Sequence, residues 1–187
     1  MGRSTKEQAE HNRVLIIEKA SELFRARGID DVGVSDVMKA AGLTVGGFYK
    51  HFSSKEELAK EAARLAFNQS THGWHKIGAT GAGSIQKNIA EHYFVPKQGG
   101  KRCPMMAFGS DLLNHDYPGL NSDAASGIRS LLAAFASGSA EVKAGVITDD
   151  SRKLAMFAAM VGANYLSEVS GDADLSARLK NAVLDMF

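Results

Sequence analysis

A chain of 187 residues, 44% of them hydrophobic and 23% charged, has the make-up of a globular protein with one sizeable core, or a small domain joined to a larger one. Its 22 basic and 21 acidic residues leave a net charge of +1, so the total charge does not by itself mark a nucleic-acid binder. A single cysteine excludes an internal disulfide framework and fits a reducing cytoplasm.

The polar start, MGRSTKEQAEHNR, has no apolar signal core, so a cytoplasmic location is expected. The longest charge-free apolar run, Leu154 to Ser167, is too short to span a bilayer, and no membrane partner is expected. From Asn12 to Arg27, Val14, Ile17, Ala20, Leu23 and Phe24 recur at the spacing of one buried helix face. Gly28 follows where a left-handed cap would end that helix. Ser35 is placed to cap a short helix, Asp36 to Ala41, which Gly42 breaks. Thr44 can cap a third. Ser53 with Glu56 fits a capping box for a long helix through Leu58, Ala62, Leu65 and Ala66. Short helices two and three, joined by a glycine-containing turn, have the spacing of a helix-turn-helix.

Within that third helix, Gly46 and Gly47 precede Phe48, Tyr49 and Phe52, although each helical glycine costs about 1 kcal/mol relative to alanine. Two readings stand. The pair serves the fold, or it clears side chains from a surface that a partner approaches closely. Residues 1 to 60 hold ten Lys and Arg against nine Asp and Glu, yet no acid lies between Gly42 and Lys55, where Lys50, His51 and Lys55 form a local basic patch.

Farther on, IGATGAGS (77 to 84) reads as a connector and lacks the spacing of a dinucleotide fingerprint. Residues 84 to 94 read as helix, 95 to 104 as a loop, and 105 to 115 as helix ending at Tyr117-Pro118. Ile128, Leu131, Leu132 and Phe135 mark another helix, and two more run roughly from Asp149 to Val169 and from Asp172 to Phe187. The expected fold is all-α, with a three-helix head over 1–53 and a helical domain over 54–187.

Residues 12 to 58 resemble the DNA-binding head of the TetR family of bacterial transcription regulators. The resemblance rests on Phe24-x-x-x-Gly28, Val34-Ser35-Asp36-Val37, Ala40-Ala41-Gly42-Leu43, Gly46-Gly47-Phe48-Tyr49-Lys50-His51-Phe52 and Ser54-Lys55-Glu56-Glu57-Leu58. It implies phosphate contacts from Ser35, Thr44, Tyr49, His51 and Lys55, and base-edge contacts from Val45 and Lys50. Gly46 and Gly47 would admit the DNA closely, and Phe48 and Phe52 would hold the helix on Val14, Ile17 and Leu23. Arg3 and Lys6 would lie in an arm that either reaches the minor groove or is idle. Val45 and Gly47 depart from the polar residues common at these positions in the family, which shifts weight to backbone contacts and DNA shape.

The same resemblance implies a ligand-responsive homodimer whose operator is a near-palindrome. The regulator would be a repressor released by a small molecule or an electrophile, with an activator and an interaction module that has lost DNA binding as alternatives. Leu154, Phe157, Val161 and Tyr165, with Leu175, Leu179 and Val183 on the last helix, are the expected interface. Met156, Met160 and Ala163 lie on the other face. Either set could instead be monomer core. Trp74, Phe94, Met106, Phe108 and Leu112 offer adaptable apolar surface for an effector, Tyr93 and Met105 beside them. Cys103, after Lys101 and Arg102 and before Pro104, is either a thiol activated by neighbouring cations or an inert buried one. The pairs His72 with His75 and Asp111 with His115 lack a third ligand, so neither a metal nor another cofactor is expected. No nucleophile has a partner at motif spacing, and no enzyme activity is expected.

Overall fold

The computed structural model describes residues 6–80, 83–114, 117, 119–137 and 150–187. Among these residues every regular element is helical: α1 (Lys6–Arg27), α2 (Val34–Ala40), a 3₁₀ helix (Val45–Lys50), α3 (Lys55–Thr80), α4 (Ile85–Phe94), a 3₁₀ turn (Gly99–Lys101), α5 (Pro104–Ala107), α6 (Gly109–Asn114), α7 (Leu120–Ser137), α8 (Ser151–Ser170) and α9 (Ala173–Leu184). The all-α expectation is met.

The chain forms two compact units. The first is Met1–Asn68 with Lys97–Ala125, and the second is Gln69–Pro96 with Ser126–Phe187. A boundary at 53/54 does not coincide with either. The reason lies in the first turns of α3, where Leu58, Ala59, Ala62, Ala63 and Ala66 complete the same core as Ile16, Ala20 and Phe24 of α1. Phe108 and Leu120 enter that core from the later stretch, both with almost no exposure.

Helix α1 starts at Lys6, earlier than its periodicity suggests, so Lys6 is helical rather than part of an arm. Arg3 lies outside the described residues. The buried side of α1 is wider than the predicted stripe: Ile16, Ala20 and Phe24 are covered, but so are Ser21 and Arg25, while Val14 is exposed. The added cover comes from the 3₁₀ turn Gly99–Lys101. A Cβ on Gly100 would fall 2.7 Å from Glu22 Cα and 2.8 Å from its carbonyl oxygen, so only glycine lets the turn sit this close. The Arg25 guanidinium then reaches the carbonyl of Arg102 at 3.4 Å. Burial lowers the Arg25 pKa, against the opposing fields of Glu22 and Cys103.

Two caps differ from the sequence reading by one or two residues. Helix α2 is capped at Gly33, whose N–H donates to the Asp36 carboxylate at 2.9 Å, so Ser35 lies inside the first turn. Helix α3 is capped by Ser54, whose Oγ accepts from Glu57 N at 3.1 Å. The Glu57 carboxylate returns to Ser53, taking its N–H at 2.7 Å and its hydroxyl at 2.6 Å. The box is thus Ser54 with Glu57, not Ser53 with Glu56, and those hydrogen bonds hold the Glu57 carboxyl below its ordinary pKa.

In the second unit Trp74 meets Tyr93, Phe135 and Phe157 at ring separations of 5.9, 6.5 and 6.2 Å, mostly edge to face. Ile89, Leu131, Met156 and Met160 are buried in the same unit. Helix α3 continues through Thr80, so the expected connector begins later than Ile77. The half-buried Ile77 and the buried Trp74 anchor the last turns, enough to carry Gly73 and Gly78 in helical form. The expected helix over 105 to 115 is two short ones, broken at Phe108, and Pro118 and His115 lie outside the described residues. Asp150 caps α8 through the N–H groups of Arg152 and Lys153, Gly171 ends it at φ 62°, and Asp172 caps α9. The expected start at Asp149 lies outside the described residues.

Candidate nucleic-acid interface

The turn between α2 and the 3₁₀ helix follows from Gly42. At φ 69° it lets Leu43 N–H reach Met38 O at 2.9 Å and its own N–H reach Lys39 O at 3.0 Å. That is a Schellman ending, and Leu43 packs on the core beside Met38 as such an ending favours. The chain then enters Val45–Lys50 as a 3₁₀ helix of 6 residues, longer than such helices usually run.

Phe48 and Phe52 are almost fully buried, with ring centroids 5.6 Å apart, and they fasten the 3₁₀ helix to the core. Ile17 and Leu23 pack against that core and Val14 is exposed, so two of the three expected partners are where they should be. The Arg13 guanidinium lies 4.8 Å from the Phe52 ring centre and pairs with Glu61 of α3, Nη1 to Oε2 at 2.9 Å. The paired carboxylate raises the Arg13 pKa, the hydrogen bond contributing most. Removing Phe48 would cost about 3–5 kcal/mol by the usual measure for a buried aromatic.

With that side anchored, the other side of the segment faces out. Thr44, Val45, Gly46 and Lys50 are exposed, His51 is half-buried, and Tyr49 is 75% exposed with its ring edge-on to Phe48 at 5.2 Å. Thr44 occupies the cap position, yet its side chain makes no capping hydrogen bond. Ser35 is exposed in the first turn of α2. Lys55, at the start of α3, donates to Asp30 O at 3.4 Å. All the residues expected to meet DNA therefore belong to one unit. Every one of them except Ser35 falls within 44–55, and none is among the core residues.

The glycines are the informative pair. A Cβ on Gly46 would meet nothing within 4 Å, and one on Gly47 would make only ordinary contacts, 3.7 Å to Met38 Cε and 3.9 Å to Thr44 Oγ1. Neither has the positive φ that favours glycine. Neither backbone strain nor crowding within this chain therefore explains them.

The other expected sites are less well assembled. Trp74 and Phe94 belong to the second unit and are buried there, Phe94 carrying Lys180 Nζ 5.9 Å from its ring centre. Cys103, Met106, Phe108 and Leu112 belong to the first, where Phe108 is core and Leu112 packs against it. Phe108 is thus a structural residue and not a surface that lines an opening. Cys103 is half-buried at the cap of α5, and its field raises the pKa of Arg25 and Lys97, both lowered in the first place by burial. Among the described residues no three His, Cys, Asp or Glu side chains converge to hold a metal ion. His115 lies outside them. None of the described helices is long and apolar enough to cross a membrane.

On α8 and α9, Phe157 and Val183 are buried within the chain, because Phe157 belongs to the aromatic cluster. They correct the expected interface. Leu154, Val161 and Leu179 are half-buried; Tyr165 and Leu175 are exposed, as are Leu166, Val169 and Met186. Leu166 and Val169, one and four residues past Tyr165, share its exposure on a helix that the sequence reads as apolar nearly all round.

A bihelical motif with a Schellman turn, an anchored second helix and an exposed, glycine-cleared end is a helix-turn-helix. Residues 16–62 match the family model described as "Bacterial regulatory proteins, tetR family". This head belongs to that family. Over 66 residues the chain is 36% identical to the HTH-type transcriptional regulator AcrR of Shigella flexneri, covering 35% of this chain and 31% of that protein. Over 60 residues it is 42% identical to the HTH-type transcriptional regulator TtgR of Pseudomonas putida, covering 32% and 29%. The similarity thus spans less than a third of either relative's length. A TetR transcriptional regulator from Chloroflexus aurantiacus J-10-FL, 24% identical, superposes with a TM-score of 0.69 over 96% of this chain and 95% of that one. This last likeness extends the fold, though not the chemistry, to nearly the whole chain.

Proposed function

We propose that the protein is a sequence-selective DNA-binding transcriptional regulator that works as a homodimer and represses until an effector releases it. The carrying observation is the Gly46–Gly47 pair, which serves no need of this chain's own packing and clears the exposed start of the 3₁₀ helix. Bare backbone there lets Thr44, Val45 and Lys50 come within reach of base edges and phosphates in a major groove. Ser35, Tyr49, His51 and Lys55 are the proposed phosphate contacts, and Val45 would favour thymine methyl groups. The carry-over of regulator function from relatives matched only at the head is part of this proposal.

The proposed partner in the dimer is a second copy, meeting the exposed Tyr165, Leu166 and Val169 of α8, Leu175 of α9 and Met186 just past its end. Two heads would then read half-sites about 34–36 Å apart. A small molecule or electrophile that prefers the other spacing shifts the population and lowers operator affinity, an effect limited to its differential affinity for the two states.

Affinity selection of genomic fragments on the purified protein at roughly physiological salt, followed by sequencing, tests this reading. One or a few sites sharing an inverted repeat are expected. Fragments with no shared motif, bound only at low salt, would reject it in favour of a helical interaction module with residual phosphate affinity.

A further inference from the structure

We infer that Tyr117 is a positioning residue for DNA binding, keeping the Asp30 carboxylate occupied so that the Lys55 ammonium remains available to a phosphate. The inference rests on the proposed role of Lys55. Asp30 lies in the turn between α1 and α2 and faces two partners. Its main-chain oxygen accepts from Lys55 Nζ at 3.4 Å, and its carboxylate accepts from Tyr117 OH at 2.5 Å. One residue thus offers the lysine a neutral acceptor and the tyrosine a charged one.

The division matters because of what each acceptor leaves behind. A carbonyl occupies one of the three ammonium N–H groups and leaves the positive charge whole. A carboxylate in its place would pair with that charge and compete with phosphate. Asp30 is exposed and lies on the residue whose carbonyl Lys55 already touches, so a released carboxylate has little distance to cover.

Tyr117 packs against the core that holds the turn, and the Tyr117→Phe change keeps that ring and removes only the hydroxyl. Ile29 and Val32 are fully buried, and Ile29 N–H donates to the buried Asp111 at 3.3 Å. Loss of the Tyr117 hydroxyl therefore frees a side chain and leaves the backbone in place. Tyr117 is separated from Asp30 by 87 positions, so no local sequence pattern could have joined the two.

The test measures the affinity of the full chain for a double-stranded oligonucleotide carrying the selected site, with a scrambled duplex beside it, across a range of salt concentrations. Tyr117→Phe is expected to weaken binding to both on the order of threefold to tenfold and to make the salt dependence shallower by about one phosphate contact. Lys55→Ala should do the same, and adding Tyr117→Phe to it should cost nothing more. Asp30→Asn should restore the Tyr117→Phe protein. Wild-type affinity in Tyr117→Phe would overturn the inference. So would a loss that Asp30→Asn does not restore, since that is the mark of a displaced turn. If Lys55→Ala binds like wild type, the role of Lys55 itself fails, a result separable from the other two.

Discussion

Gly46 is a residue the chain can do without and its proposed partner cannot. Because a Cβ there meets nothing within 4 Å and φ is not positive, alanine should fit and reduce the freedom of the unfolded chain. Gly46→Ala is therefore expected to stabilise the fold by about 0.4–1 kcal/mol in denaturant titration. The same methyl group would stand between the 3₁₀ helix and the groove, and DNA affinity should fall on the order of tenfold. Stability and binding moving in opposite directions is the diagnostic outcome. A variant that loses both, or neither, would return the glycines to a purely structural role.

The start of α3 shows the same coupling of local chemistry to a larger element. Glu57 closes the box with Ser53 and Ser54, and the hydroxyl and N–H of Ser53, in that order, depress its pKa. A carboxyl with a lowered folded pKa contributes stability that is fully present above its unfolded value of about 4.3 and is lost as pH falls through the folded value. Glu57→Gln should accordingly be less stable than wild type near neutrality, and the gap should close on acidification below the carboxylate range. A gap constant with pH in thermal unfolding would refute the assignment. At this scale the sequence was legible where one residue decides the geometry: Gly28 at φ 90° and Gly42 at φ 69° end their helices as read. The caps slipped where adjacent residues compete for one role. Ser53 and Ser54 both offer a hydroxyl, and only the reach of Glu57 decides between them. The proposed contact set on 44–55 is legible through the family resemblance that its motifs carry, whereas the Asp30, Tyr117 and Lys55 link is a long-range contact with no local trace. The split of the effector residues between units was hidden for the same reason, since burial of Phe108 depends on helices far away in the chain.

For the molecule as a whole, the exposed apolar residues of α8 and α9 are the proposed joint between two heads. Val169 is 66% exposed and Leu166 50%, so charges introduced there should leave the protomer folded. Leu166→Glu with Val169→Lys is expected to give a monomer in sedimentation equilibrium. Affinity for an inverted repeat should drop by roughly tenfold or more, as the second head no longer binds intramolecularly. A double variant that stays dimeric would move the interface elsewhere. The first unit, meanwhile, draws its core from two stretches, Met1–Asn68 and Lys97–Ala125, with Phe108 and Leu120 supplied by the second. During synthesis the head emerges first but is left without part of its interior. Its helices wait, partly uncovered, until Leu120 has cleared the ribosome, and for that interval the nascent chain depends on whatever shields apolar surface in the cell.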